Sequence, residues 1–269
     1  MMLELQPNPR LFPFRWFAFL LALCVTLPRA SHAQEERMKK PIERPQVLIF
    51  DVNESMLDLS GVASQINKSF HDESAFQRWF SLMLQYSVVD NVTGRYHDFG
   101  KIGDAAMRMT AQLLGKEISD DERRRLLKLI LVAPPHPDVV EALTQLKKAG
   151  YRMVTLTNST QNVVTQQLEH AGLAKYFETS ISIDDVKAYK PQLDAYKLAL
   201  RRVNVKAEQA MLIAAHGWDV AGAAAAGLQT AFIARKGHVL YPLAPEPTIK
   251  GDTLIEIARQ LTGATPGGR

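Results

Sequence analysis

Asp51 directly follows the apolar run formed by residues 47–50, and an acidic side chain in that position is a candidate for chemistry. At the carboxyl end of a buried strand, a carboxylate can act as a metal ligand, a general base or a covalent nucleophile. The simpler alternative is that Asp51 only caps the turn that follows it. The residues at the ends of the other apolar runs are needed to decide between these alternatives.

Other polar side chains stand in equivalent places along the chain. Five residues directly follow predicted strands: Asp51, Thr157, Asn158, His216 and Asp219. Right-handed crossovers between parallel strands bring all carboxyl ends to one rim of a sheet, so we expect these side chains to converge. Their spacing does not match the Cys/His patterns of zinc sites. The sequence therefore predicts a polar site at this rim.

The elements that position these residues alternate between strands and helices. Short apolar runs predict strands at 47–50, 152–156, 180–183, 211–215 and 230–233. Helical patterns lie between them, at 138–148, up to Gly172, at 194–203 and 217–227, and at 253–261. This alternation predicts an α/β fold with a doubly wound, Rossmann-like parallel sheet.

The segment between the first and second strands has a different character. Apolar residues recur there every three or four positions, as in amphipathic helices, and residues 94–100 have the composition of a loop between two helices. We expect residues 59–131 to form a helical cap inserted into a core made of residues 46–58 and 132–262.

The N-terminal region has the layout of a secretory signal peptide. Arginines precede a short apolar run, and a small-x-small pattern ends at Ala33, which predicts a signal over residues 1–33 and a periplasmic or secreted protein. The alternative is translation from Met38 and a cytoplasmic protein. Cys24, the only cysteine, lies in the predicted signal, so we expect no disulfide in the mature chain. Residues 34–45 are predicted to be a linker, and residues 263–269 a disordered tail.

The charge balance indicates which partners to expect. The 269 residues include 32 Lys and Arg against 28 Asp and Glu, a net charge of +4, and there is no long basic run. We therefore expect neither nucleic acid nor, after signal removal, a membrane as partner. A small-molecule substrate fits the predicted rim site better.

Four ordered motifs carry a resemblance to a known family. They are residues 51–55 (DVNES), 156–158 (LTN), 189–191 (YKP) and 214–219 (AAHGWD). Together they resemble the motifs of the haloacid dehalogenase superfamily, and most closely those of its (S)-2-haloacid dehalogenase, or type II, branch. The resemblance implies the core and cap described above, a small 2-haloacid substrate and no metal or cofactor. Cap helices of this type also imply a possible homodimer.

The resemblance also implies roles for individual residues. Asp51 would displace halide from the substrate carbon and form an ester that water hydrolyses. Lys190 would keep Asp51 ionised and lower its pKa, and Asp219 would orient Lys190 or the attacking water. Without the resemblance, Lys190 could be a surface lysine and Asp219 a helix-start acid.

The implied binding residues are Ser55, Thr157, Asn158 and Tyr196. Ser55 and Asn158 would hydrogen-bond the carboxylates of the nucleophile and the substrate, and Thr157 stands where the family usually has Ser. The simpler alternatives are a turn hydroxyl for Ser55, a helix cap for Asn158 and a half-buried core residue for Tyr196.

Three departures from the family pattern alter these expectations. His216 replaces an Asn, so it is either a general base for water or a buried, hydrogen-bonded histidine. The Arg of the family's cap is missing at residues 86–90, so either Arg78 or Arg95 substitutes for it or the substrate is not a simple haloacid. Glu54 stands where the family often has Gly.

Two other functions remain open. A phosphatase of the same superfamily would use a second Asp two residues after the nucleophile, where this chain has Asn53, and magnesium-binding acids in the fourth motif, where it has Ala215 and His216. A catalytically impaired binding protein with the same fold is the third possibility.

Overall fold

The computed structural model describes residues 43–263. The predicted signal peptide, the first part of the predicted linker and the last six residues of the predicted tail lie outside these residues. Within them, the predicted α/β class with a doubly wound parallel sheet is confirmed.

One sheet of six parallel strands organises the described residues. Its strands, in chain order, are β1 (Val47–Phe50), β2 (Arg152–Thr157), β3 (Thr179–Ser182), β4 (Ala210–Ala214), β5 (Gln229–Ile233) and β6 (Ile249–Gly251). The spatial order is β3-β2-β1-β4-β5-β6. The first strand therefore lies in the middle, and the chain winds outward from it in both directions.

Strand β1 is fully enclosed at the centre of the sheet. All four of its residues are fully buried, as expected for a central strand covered on both faces. Phe50 lies opposite Thr155 of β2 and Ile213 of β4, and the backbone N–H of Asp51 donates to the carbonyl of Ile213. These pairings fix Asp51 at the carboxyl rim.

Helices cover both faces of the sheet. They are α5 (Val139–Lys148), α6 (Gln161–His170), α7 (Leu193–Val203), α8 (Gly217–Ala225) and α9 (Leu254–Thr262). The sequence predicted each of these helices, as well as strands β1 to β5, with ends that differ from the structure by one or two residues. Strand β6 was not predicted, because its three residues contain a Lys and a Gly and form no apolar run.

Four helices lie between β1 and the return of the chain to the sheet: α1 (Ser60–Phe70), α2 (Ala75–Thr93), α3 (Phe99–Leu113) and α4 (Asp120–Lys128). The prediction that residues 94–100 form a loop was wrong at its end, because Phe99 and Gly100 begin α3. Asp98 caps that helix by accepting a hydrogen bond from the backbone N–H of Lys101.

The boundaries of the predicted cap, residues 59–131, stay a prediction. Buried side chains of α2, such as Trp79 and Met83, belong to the same continuous apolar core as the strands. None of the helices within residues 43–263 combines the length and the apolar character that crossing a membrane requires.

A tight contact between α7 and α8 offers a test of this packing. A Cβ added at Gly222 would lie 2.5 Å from the hydroxyl oxygen of Tyr196 and 2.6 Å from the Cβ of Pro191. Because Tyr196 is fully buried and has no room to move aside, we expect Gly222→Ala to lower the free energy of unfolding by about 1–3 kcal/mol. Urea denaturation measures this loss.

Gly61 supplies the matched control. It lies in helix α1, and an added Cβ would meet nothing within 4 Å. Since Ala favours helix more than Gly, Gly61→Ala should unfold at the same urea concentration as wild type or a higher one. Equal stability of the two variants would contradict the close contact at Gly222.

Candidate active site

Asp51 is a buried carboxylate whose two oxygens both accept hydrogen bonds. Its Oδ1 lies 2.8 Å from the Nζ of Lys190. Its Oδ2 accepts from the hydroxyl of Ser55 at 2.6 Å and lies 3.1 Å from the Nδ1 of His216. Ser55 is itself held in place, because its oxygen accepts from the backbone N–H of Ala215 at 2.8 Å. Three polar side chains from separate parts of the chain therefore fix the orientation of one carboxylate.

Lys190 is fully buried and uses all three of its ammonium hydrogens. It donates to Asp51, to the Oδ2 of Asp219 at 2.6 Å and to the backbone carbonyl of Leu156 at 3.0 Å. Only 1% of its side chain is exposed, so the alternative of a surface lysine does not apply. An ammonium group has only three donors, and the geometry of this one is therefore fixed.

The close charges shift the pKa values of these groups in opposite directions. Burial alone would raise the pKa of Asp51, but the charges and hydrogen bonds of Lys190 and His216 hold it well below its usual range. Burial alone would lower the pKa of Lys190, and the two carboxylates raise it instead. The pKa of Asp219 is raised, because burial and the nearby charge of Asp51 outweigh Lys190. One cation thus serves two carboxylates.

Tyr196 contacts Asp219 from the side of helix α7. Its hydroxyl donates to the Oδ1 of Asp219 at 2.6 Å, and it also lies 3.1 Å from the backbone carbonyl of the same residue. Tyr196 is fully buried rather than half-buried. Its hydroxyl contacts Asp219 and not Asp51. Tyr196 therefore donates to the oxygen of Asp219 that does not contact Lys190.

His216 lies between two carboxylates. Its Nδ1 faces Asp51, and its Nε2 lies 3.0 Å from the Oε2 of Glu54. Burial alone would lower the pKa of His216, but the hydrogen bonds and charges of the two acids raise it to about 9. An imidazole with this pKa carries a proton at neutral pH and has no free nitrogen to accept one. Of the two alternatives for His216, the geometry favours the hydrogen-bonded histidine over the general base.

Thr157 and Asn158 organise the backbone of the rim. The Oγ1 of Thr157 accepts from the backbone N–H of Ser159 at 3.1 Å. The Oδ1 of Asn158 accepts from the backbone N–H of Lys190 at 2.9 Å. Asn158 therefore positions Lys190 rather than contacting Asp51. Both side chains are buried.

Asn53, two residues after Asp51, is held by its own amide partners. Its Oδ1 accepts from the Nε2 of Gln167 at 2.9 Å, and its Nδ2 donates to the Oγ of Ser159 at 3.3 Å. The side chain of Asn53 is therefore fixed in place, and its carboxamide is not a carboxylic acid.

An apolar cavity of about 190 Å³ lies beside these residues. Asn53 and Ser159 line it on the core side, and Trp79, Phe80 and Met83 line it from helix α2. Further apolar side chains come from α3 and from the end of α4. The size and apolar lining of the cavity therefore suit a small molecule with a short carbon chain.

The expected substitutes for the missing cap arginine do not line this cavity. Arg78 and Arg95 are exposed and belong to none of its walls. The lysine that does line it is Lys128, the last residue of α4. Helical periodicity marked α4 but did not show which way this side chain points.

Two further residues were not recognised from the sequence. Glu54 was noted only as a departure from a glycine, and its contact with His216 was not anticipated. His238 lies in the loop after β5, where its ring centroid is 4.9 Å from that of His216. The rule that polar residues after parallel strands converge, extended to this loop, would have found His238.

Comparisons with known proteins agree with this architecture. A sequence model of the haloacid dehalogenase-like hydrolase family matches residues 45–227. The chain is 27% identical over 211 residues to an (S)-2-haloacid dehalogenase of Pseudomonas putida, covering 78% of this chain and 93% of that one. It is 29% identical over 192 residues to (S)-2-haloacid dehalogenase 1 of Pseudomonas sp. strain CBS-3, covering 70% of this chain and 83% of that one.

A solved structure shares the fold. The L-2-haloacid dehalogenase of Xanthobacter autotrophicus superposes with a TM-score of 0.76 at 23% identity, over 82% of this chain and all of that one. At this level of identity, the likeness concerns the arrangement of helices and strands.

Removal of the Lys190 ammonium group, which two carboxylates share, should lower stability strongly and in a pH-dependent way. Lys190→Met leaves the carboxylates of Asp51 and Asp219 buried without their cation, so we expect the free energy of unfolding at pH 7 to fall by about 3–5 kcal/mol. In the variant, Asp51 keeps His216 as a cation, but burial raises the folded-state pKa of Asp219 above that of the unfolded chain. Stability of the variant is therefore regained as the pH falls and Asp219 takes up a proton, and its deficit should be smaller at pH 5 than at pH 7.

Lys197→Met is the control for this measurement. Lys197 forms an exposed pair with Asp194 at 3.3 Å, so its loss should change stability by less than about 1 kcal/mol at either pH. A deficit of Lys190→Met that grows between pH 7 and pH 5 would contradict the assignment of the ammonium as the counter-charge of both acids.

Proposed function

Because this chain belongs to the haloacid dehalogenase-like hydrolase family, we propose that it hydrolyses the carbon–halogen bond of small 2-haloacids through an ester of Asp51 and without a metal. The observation that carries the proposal is the Asp51 carboxylate, which is buried, held ionised by Lys190 and oriented by Ser55 and His216. The relatives reported above are named as dehalogenases of this substrate class.

The proposed reaction has two steps. In the first, an oxygen of Asp51 forms a bond to C2 of the substrate while the carbon–halogen bond breaks, and the halide leaves with the bonding electrons. In the second, water attacks the carbonyl carbon of the Asp51 ester. The acyl–oxygen bond then breaks, giving a 2-hydroxy acid, regenerated Asp51 carboxylate and one proton. Division into two displacements lowers the barrier of each.

The surroundings of Asp51 suit both steps. Removal of water makes a carboxylate more reactive but favours its neutral form, and Lys190 opposes that change by keeping the group ionised. When water attacks the ester, negative charge develops on the carbonyl oxygen, and nearby hydrogen-bond donors stabilise it. Ser55, Lys190 and the protonated His216 are donors already in contact with Asp51.

The apolar cavity would take the substrate. Its Trp79, Phe80 and Met83 walls suit an alkyl group, and Lys128 supplies a positive charge for the substrate carboxylate. We assign to Lys128 the role that the family gives to an arginine of its cap. Lys128 is exposed, so this attraction acts at the mouth of the cavity.

The rim is less suited to phosphoryl transfer. Asn53 stands where a phosphatase of this superfamily has its general acid. The amide of Asn53 is hydrogen-bonded to Gln167 and Ser159. Asp219 is already paired with Lys190 and Tyr196, so its oxygens are not free for magnesium. The donor set therefore favours the dehalogenase over the phosphatase.

Replacement of the nucleophile tests the proposal. In the presence of EDTA, wild-type protein should release halide from a panel of 2-haloacids, and Asp51→Asn should be slower by about 10⁴-fold or more because an amide is a poor nucleophile. Asp194→Asn makes the same chemical change on the surface and should keep the wild-type rate. Halide release at equal rates by wild type and Asp51→Asn would refute the ester mechanism.

An isotope readout separates the nucleophile from a merely structural aspartate. A single turnover in water enriched in oxygen-18 should place the label in the peptide that contains Asp51, because water attacks the enzyme carbonyl in the second step. Mass spectrometry of the digested protein measures it. Product formed while this peptide stays unlabelled would show that water attacks the substrate directly.

The Lys128 assignment has its own kinetic test. We expect Lys128→Gln to raise KM for the 2-haloacid by about 5-fold or more with a small change in kcat, because an attraction at the cavity mouth acts on substrate binding. Lys116→Gln removes another exposed lysine of the same helical insert and should leave KM unchanged. Identical KM values for all three proteins would exclude Lys128 as the carboxylate partner.

A further inference from the structure

A second cavity, of about 660 Å³, opens next to His216. Glu54, His216 and His238 line it, together with Phe80 and Trp218. Phe80 also lines the apolar cavity, so the two cavities have this side chain in common. The second cavity contains a cluster of ligand-type side chains that the proposed dehalogenation does not use in full.

The cluster consists of one carboxylate and two imidazoles. The Oε2 of Glu54 lies 3.0 Å from the Nε2 of His216, and the Oε1 of Glu54 lies 3.8 Å from the Nε2 of His238. One ligand atom from each residue falls within 4.8 Å of the others. In a tetrahedral zinc site with bonds of about 2.0–2.1 Å, neighbouring ligand atoms are about 3.3 Å apart. The Glu54–His216 distance of 3.0 Å is close to that spacing, and the Glu54–His238 distance of 3.8 Å is slightly longer.

The contacts of each residue orient it toward this centre. The Nδ1 of His216 faces Asp51 and can donate a proton to it, and a metal ion bound at Nε2 would displace the proton that this nitrogen otherwise shares with Glu54. This is the arrangement in which an outer carboxylate fixes the tautomer of a metal-bound histidine. Among the described residues, the ion pairs of Glu54 go only to His216 and His238, so no lysine or arginine competes for its carboxylate.

Two features of the backbone lie beside the cluster. Glu54 has a φ of 60°, in the left-handed region that is unfavourable for a residue with a side chain. The loop that carries His238 lies against the start of helix α8 so closely that a Cβ at Gly217 would be 2.3 Å from the carbonyl oxygen of Val239. The backbone thus bears local strain at one ligand and close packing beside another.

From this geometry we propose that Glu54, His216 and His238 form a binding site for Zn²⁺, with water completing its coordination through the second cavity. Two histidines and one glutamate are a common zinc ligand set, and the open cavity supplies the entry path. This site shares His216 with the fourth-motif position at which related phosphatases carry a magnesium-binding acid, but its other two ligands, Glu54 and His238, lie outside that position, and it contains neither Asn53 nor Asp219. Zinc is not required for the bond-breaking steps described above.

Direct metal binding tests the proposal without any reference to turnover. Full-length protein without an affinity tag, stripped with EDTA and then dialysed, should retain one equivalent of Zn²⁺ per chain after gel filtration, measured by elemental mass spectrometry. Co²⁺, used as a spectroscopic probe, should give the visible absorption of a tetrahedral site with mixed nitrogen and oxygen ligands, and Zn²⁺ should abolish it by competition.

Variants locate the bound metal. His238→Gln and Glu54→Gln should each weaken Zn²⁺ binding by about 100-fold or more and remove the Co²⁺ absorption, because each loses a direct ligand. His97→Gln is the matched control, since His97 also pairs with a carboxylate, that of Asp90 at 3.0 Å, outside this cluster. Circular dichroism checks that each variant is folded.

Two results would overturn the proposal. One is the absence of bound Zn²⁺ and of Co²⁺ absorption in the wild-type protein. The other is equal metal affinity in wild type and a folded His238→Gln, which would place the metal elsewhere in the chain. Because neither result depends on halide release, failure of the zinc site and failure of the dehalogenase proposal can be told apart.

Discussion

The ammonium group of Lys190, shared between two buried carboxylates, is the interaction on which the rest of the site depends. Asp51 follows strand β1, and Asp219 lies in the first turn of helix α8, which follows the neighbouring strand β4; both lie in an interior that disfavours their charge. A single buried cation between them compensates both. The remaining contacts at the rim serve this arrangement: Asn158 binds the backbone of Lys190, Tyr196 binds the second oxygen of Asp219, and Leu156 accepts the third ammonium hydrogen.

The same constraint explains how the site divides its tasks. Residues that contact Lys190 are buried, and their hydrogen bonds are formed before any substrate arrives. Residues that face the two cavities, such as Lys128 and His238, come from an inserted helix and from a loop. Reactivity is therefore built on the sheet, whereas selection of ligands falls to elements that can vary without disturbing the buried charges.

Much of the fold could be predicted because apolar runs alternate regularly with helical patterns. Asp51, Asn158, His216 and Asp219 follow strands, and the topology of a parallel sheet brings them together. Prediction failed where that signal was weak. Strand β6 is short and partly polar, and Phe99 looked like a loop residue although Asp98 caps a helix there.

Side-chain directions set a further limit. The family resemblance implied that Lys190 keeps Asp51 ionised, but it did not show that Asn158 binds the backbone of Lys190 or that His216 lies between two acids. Those facts depend on rotamers and on contacts between residues that are 32 positions apart for Asn158 and Lys190, and 165 positions apart for His216 and Asp51. The position of Lys128 at the apolar cavity likewise depends on the direction of its side chain, which helical periodicity does not give.

The contrast in burial between the two lysines has a consequence for ionic strength. Dissolved ions screen exposed charges over about 8–10 Å at ordinary salt concentrations, but they cannot enter a dry interior. The exposed Lys128 would lose its attraction for an anion as salt is added, whereas the enclosed Lys190 would keep its hold on Asp51. Salt would thus weaken capture of a charged molecule and leave the reactivity of the captured molecule intact.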